Sequence, residues 1–151
     1  MTENYEGPVA GPLLAAIETI RPGQWLAIAS PRIAEGRAAL TAGVGIERLS
    51  ASLFAAMPIS TEARTPLIGW LADASEDESL DAFFTVQGTA RDSERRELHM
   101  GRLVDVPAET WENVDTVVAV DSAVDFVFFV CVGGDSESVA DLFAPSQARA
   151  A

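Results

Sequence analysis

Residues 126–132 read Phe-Val-Phe-Phe-Val-Cys-Val, seven consecutive apolar side chains that stop at Gly133 and Gly134. The run is far shorter than the ~20 residues a membrane helix needs. Its aromatic and β-branched content and its glycine stop mark a strand. Side chains of a strand alternate between faces, so a run that is apolar at every position needs cover on both sides. Left on an edge, it would pair with other chains. The chain must therefore set this strand inside a sheet and build a layer against each face.

The flanking sequence predicts the remaining elements. Pro12 and the spacing of Leu13, Leu14, Ile17 and Ile20 predict a helix over 12–20, and 25–30 reads as a strand ended by Pro31. The Ala-rich stretch 32–42 predicts a short helix closed by Gly43 and Gly45. Ile46, Leu49, Leu53, Phe54 and Met57 share one helical face, and Pro58 ends that helix. Residues 66–73 and 80–88 read as a hairpin around an acidic tip, and 95–106 as a half-exposed strand. Residues 107–113 form a loop or one helical turn, and 114–120 and 125–132 are the last strands. Asp135 is placed to cap a final helix with Val139, Leu142 and Phe143 on its apolar face. The expected fold is α+β: a mostly antiparallel sheet of about five strands in the second half, covered by N-terminal helices and one C-terminal helix. Residues 1–11 read as an arm, 12–144 as a single domain and 145–151 as a frayed tail.

Charge narrows the function. The 151 residues carry 23 acids and ten bases, a net of −13, and every base is arginine. Without lysine there is no Schiff-base chemistry and no P-loop lysine. Nucleic acid is not expected as a partner, because phosphate binding runs on cations. Residues 1–72 hold six acids and five arginines, whereas residues 73–151 hold seventeen acids and five arginines. A basic protein partner steered by the acidic half is one reading, and solubility or a halophilic origin are the others. No membrane association is expected, and self-association is left open. The absence of a basic and apolar leader in the first eleven residues, with one cysteine, leads to the expectation of a cytoplasmic protein.

The glycine pair raises the question of a phosphate loop. Asp135 and Glu137 stand where a phosphate would sit, and neither G-x-G-x-x-G nor G-K-[ST] is present. The pair therefore reads as the end of a core strand, and Cys131 as a small buried hydrophobe. His99 is the chain's one histidine, with Glu94 and Glu97 near it, but no nucleophile motif accompanies it. No catalytic residue, cofactor site or metal site is assigned. Trp111, rimmed by Glu109 and Glu112, reads as an interface anchor or a lid over the core. Asp73, Glu76, Asp77 and Glu78 read as a docking edge or a solvated tip. Trp70 reads as core.

In layout, a small acidic α+β chain without catalytic signatures resembles bacterial secretion chaperones and toxin-neutralising immunity proteins. The order PLIGWLADASEDESLDAFFTV, RLVDVPAETW, DFVFFVCV over 46–143 is similar to small actinobacterial proteins of the PsbP/Mog1-like kind. The resemblance implies a non-catalytic protein-binding module and assigns no residue. Two alternatives stand beside it: a small enzyme or ligand-binding domain with a helix–sheet pocket near His99, and a subunit of a larger assembly.

Overall fold

The computed structural model describes residues 11–134 together with 139, 140 and 142. In chain order the elements are α1 (Gly11–Glu18), β1 (Trp25–Ala29), α2 (Pro31–Ala34), β2 (Ala39–Thr41), α3 (Ile46–Ala56), β3 (Leu67–Leu71), α4 (Asp77–Glu94), β4 (Gly101–Leu103), a 3-10 helix (Ala108–Asn113), β5 (Thr116–Ala119) and β6 (Phe126–Cys131). The α+β class stands. The sheet has six strands in the order β2-β5-β1-β6-β3-β4. It is mixed rather than mostly antiparallel. β6 runs antiparallel to β1 and β3, while the pairs β1–β5, β2–β5 and β3–β4 are parallel.

The apolar run lies where its composition demands. All six β6 residues are buried, between β1 and β3. Phe126, Phe128 and Val130 point to one face, where they meet Leu13 and Ile17 of α1, Leu49, Leu53 and Phe54 of α3, and Phe83 and Val86 of α4. Val127, Phe129 and Cys131 point to the other, with Trp25, Ala27, Ala29, Ile68 and Leu103. That second face is covered more thinly, by Ile33 and Ala34 of α2, by Trp111 and Val114, and by Val139 and Leu142. Of the helix expected from Asp135 only 139, 140 and 142 are described, and they are not helical; the arm up to residue 10 and the tail 145–151 lie outside the described residues.

The glycine pair is structural. Ile59 bridges Val132, and the Gly133 N–H donates to the Pro58 carbonyl at 2.9 Å. The end of α4 holds this segment from the other side. Glu94 accepts the Ile59 N–H at 3.0 Å and pairs with Arg96 at 3.2 Å.

Three expectations fail. Residues 80–88 are not the second arm of a hairpin but the middle of α4. Phe83, Phe84, Thr85 and Val86 look strand-like taken alone. The side chains that α4 buries are Ser79, Ala82, Phe83, Val86 and Ala90, spaced three and four apart, and Phe84 is left 61% exposed. The acidic "tip" is the start of this helix, with Asp77 and Glu78 in its first turn, where carboxylates meet the positive end of the helix dipole. Just before it, the Ser75 hydroxyl and then the Ser75 N–H donate to Asp73, holding its carboxyl below the usual range. Residues 32–42 divide differently: α2 is a single turn, Gly36 takes a φ of +83° that ends it, and 39–41 join β5 as an edge strand. Of 95–106 only 101–103 pairs in the sheet, because Met100 and Gly101 are both buried and break the alternation.

Candidate functional site

The thinly covered face carries a cleft of about 330 Å³. Its floor is Val127 on β6, which in register lies between Ala29 on β1 and Trp70 on β3. One step along β6, Phe129 holds the Trp111 ring edge-on at 5.5 Å. Trp70 and Trp111 are both half-buried and both line the cleft. The Trp70 indole N–H donates to the Val104 carbonyl at 3.2 Å, which fixes the ring against the segment after β4.

Charged groups complete the lining. Arg32, Glu35 and Arg37 come from α2 and the turn after it, and Asp105 comes from the connection before the 3-10 helix. A hydrogen-bonded corner anchors α2. Ser30 is fully buried, and its hydroxyl accepts the Phe126 N–H at 3.1 Å and lies 3.3 Å from Asp125 Oδ1. The Ser30 carbonyl accepts the Ala34 N–H at 2.9 Å. Arg32 reaches Asp125 at 3.6 Å. Arg32 is exposed, so that pair contributes little to stability. Arg37 lies over the Trp111 ring, its guanidinium carbon 3.7 Å from the centroid. Partial burial pulls its pKa below the ordinary arginine value, yet a guanidinium stays charged at neutral pH. Two indoles, one of them under Arg37, two guanidinium groups and two carboxylates thus meet over one apolar floor. Such a set suits a small ligand with apolar faces and many hydroxyls. Aromatic rings take the faces, and charged groups make the stronger hydrogen bonds to hydroxyls.

The sequence-derived candidates divide around this cleft. Trp111 lines it. Glu109 is exposed on the same 3-10 helix. Glu112 lines a separate polar cleft with Arg21, Gln24 and Asp115. Asp73 and Glu76 precede α4, and Asp77 and Glu78 open it. His99 is exposed and is not part of the lining. Its supposed orienting neighbour Glu94 is committed to Ile59 and Arg96. Arg32, Glu35, Arg37 and Asp105 were not singled out by the sequence, and Trp70, read there as core, is half-buried in the lining. Only Trp111, a large aromatic in an acid-rich loop, carried a local signal. Among the described residues no three His, Cys, Asp or Glu side chains are grouped to hold a metal ion.

Beside Trp111, the Thr110 hydroxyl is buried with no hydrogen-bond partner among the described residues. A buried hydroxyl without a partner costs about 1–3 kcal/mol. Thr110→Val keeps the shape and removes the oxygen. It is expected to raise the melting temperature by about 2–4 °C per kcal/mol recovered. A lower melting temperature by circular dichroism would show that the hydroxyl is satisfied in solution.

No protein-family model matches the chain, and no curated protein matches it. Solved structures do. FucU from Bifidobacterium longum superposes with a TM-score of 0.65 at 17% identity, over 87% of this chain and 95% of that one. Fucose mutarotase from Streptococcus pneumoniae, solved with L-fucose, superposes with a TM-score of 0.56 at 13% identity, over 83% and 93%. A third structure, of a candidate sugar-binding protein, gives 0.62 at 14% identity, over 83% and 90%. The chain shares their fold. This overturns the layout-level resemblance to secretion chaperones, immunity proteins and PsbP/Mog1-like proteins. The protein-binding module that the resemblance implied, and the basic protein partner read from the acidic half, are not supported either. The PsbP/Mog1-like layout included a hairpin over 66–88 that the chain does not form, and the chaperone and immunity-protein likeness rested on size and acidity, which are not specific to a fold. The cleft lies at Trp70 and Trp111 rather than near His99.

Proposed function

We propose that this protein binds a monosaccharide in the cleft between Trp70 and Trp111. The observation that carries this reading is the convergence of two indoles with Arg32, Glu35, Arg37 and Asp105 on one cleft. The volume, about 330 Å³, stands at the small end of the roughly 300–1,000 Å³ of small-molecule sites, which suits one sugar ring better than an oligosaccharide. The fold shared with fucose mutarotase and FucU supports it. A cytoplasmic location goes with this reading, since Cys131 is the chain's one cysteine and no internal disulfide can form.

The test uses the protein's own fluorescence. Trp25 is buried and two of the three tryptophans line the cleft, so a bound sugar is expected to change the emission. Neutral aldoses, L-fucose among them, are titrated into the full chain and into Trp70→Ala. The variant is expected to lose at least about tenfold in affinity, as for an aromatic anchor at a binding hot spot. Equal affinities in the two proteins would place the sugar elsewhere.

A second reading adds catalysis, because the cleft holds carboxylates as well as rings. Interconversion of anomers needs a base to take the proton from the anomeric hydroxyl and an acid to protonate the ring oxygen as the C1–O5 bond breaks. Closure of the open aldehyde then reverses both transfers. Glu35 and Asp105 are the groups in the cleft that can carry those protons, since the one histidine lies outside it. Exchange between α and β anomers, followed by NMR saturation transfer, is expected to quicken with the protein present. It is expected to slow on Glu35→Gln or Asp105→Asn by at least about a hundredfold, the lower bound for general acid–base catalysis.

A further inference from the structure

The surroundings of Arg37 fit it for an anion as well as for a hydroxyl. Arg32 is matched by Asp125 at 3.6 Å. Arg37 has no carboxylate at ion-pair distance among the described residues, and its contact is the Trp111 ring at 3.7 Å. A guanidinium lying on a ring face keeps its N–H donors in its own plane, directed past the ring edge. Trp111 is held in turn by Phe129, so the fork rests on a fixed support. Arg37 is exposed and lines the cleft; the chain's net charge of −13 repels anions at long range, so an anion is held there only by short-range contacts.

The same contact decides where a sugar ring can lie. The Trp111 face under Arg37 is covered, so Trp70 is the aromatic surface left for stacking. Glu35 and Asp105 accept from hydroxyls, and they disfavour a phosphate, whose second negative charge calls for more cations than the cleft offers.

We propose that the ligand is an acidic monosaccharide of the hexuronate class, its carboxylate held two-pronged by Arg37 and its ring against Trp70. This rests on the monosaccharide reading above and narrows it.

D-Galacturonate and D-galactose make a matched pair, since they differ only in whether C6 is a carboxylate or a hydroxymethyl group. Both are titrated into the full-length protein by calorimetry, with D-galactose 6-phosphate as a third probe. The uronate is expected to bind about 10- to 100-fold tighter than the neutral sugar, the range of a hydrogen bond to a charged group, and to weaken as salt rises. Arg37→Gln is expected to bring the uronate-to-neutral ratio to about one. Arg37→Lys, which keeps the charge but not the fork, is expected to fall between. An unchanged ratio in Arg37→Gln, neutral sugar bound as tightly as uronate, or the phosphate bound tightest would each overturn the acidic-sugar assignment while leaving a sugar site in place. Binding of none of the three, with none of the neutral aldoses bound either, would overturn the monosaccharide reading itself.

Discussion

Phe128→Ala is expected to be among the most destabilising substitutions in this chain, at about 3–5 kcal/mol. Phe128 is fully buried at the centre of β6. Its ring packs beside Phe126, with centroids 5.0 Å apart, and meets Phe83 of α4 at 6.4 Å. It also fills the space over Gly69 of β3, where any Cβ would come within 2.8 Å of the ring. Truncation therefore empties a volume bounded by three elements at once, and backbone pairing on both sides of β6 keeps the strands from closing over it. For a chain of this length the melting temperature is expected to fall by on the order of 10 °C. Urea unfolding followed by far-UV circular dichroism measures the change directly. A loss under about 1 kcal/mol would mean that the α4 side of the core packs loosely in solution.

The second large effect is expected at Gly133. A Cβ there would lie 2.7 Å from the Ile59 carbonyl oxygen and 2.8 Å from Ile59 C and Ser60 Cα. These are backbone atoms, and they are fixed. Ile59 is held by Glu94, and the Ser60 N–H donates to the Cys131 carbonyl at 2.9 Å. Gly133→Ala must therefore push the 59–60 segment off the end of β6, at about 3 kcal/mol. Gly88 provides the control. It lies mid-way along α4, and the nearest atom to a Cβ there is the end of the Arg91 side chain at 4.0 Å. Gly88→Ala is expected to stabilise by up to about 1 kcal/mol, because alanine loses less backbone entropy in a helix. Opposite signs at the two glycines, measured in the same unfolding series, test the packing assignment. Equal signs would count against it.

The contrast between the two glycines bears on how much of this protein is legible before folding. The stop after Val132 was visible as a strand end, and the structure supplies the cause, a backbone segment passing too close for any side chain. The helices over α1 and α3 were visible because their apolar residues repeat at helical spacing and are closed by Pro or Gly. α4 was not, because Ala82, Phe83, Phe84 and Val86 are dense enough to satisfy either period over a short window. The choice rests on α3, against which α4 packs, and on the Ser93 hydroxyl, which donates to the Phe54 carbonyl at 2.7 Å. The acids from Asp73 to Glu78 followed the same error. They look like a hairpin tip if the flanks are strands and like a helix start if they are not.

The cleft shows the limit more sharply. Val127 was readable as buried, since every position of its strand had to be. That Val127 would lie between Ala29 and Trp70, with Trp111 and Arg37 closing over it, depends on a strand order that local pattern does not encode. Alone, the sequence determined that a doubly covered central strand exists, that the chain is α+β, and that lysine chemistry is excluded. Tertiary structure decided the mixed strand order, the identity of α4 and the meeting of Arg37, Trp70, Asp105 and Trp111. The physical reason is one of range. Periodicity and glycine stops act over a few residues, whereas a site gathered from several elements is set by which strands pair and by what the thinner layer leaves uncovered.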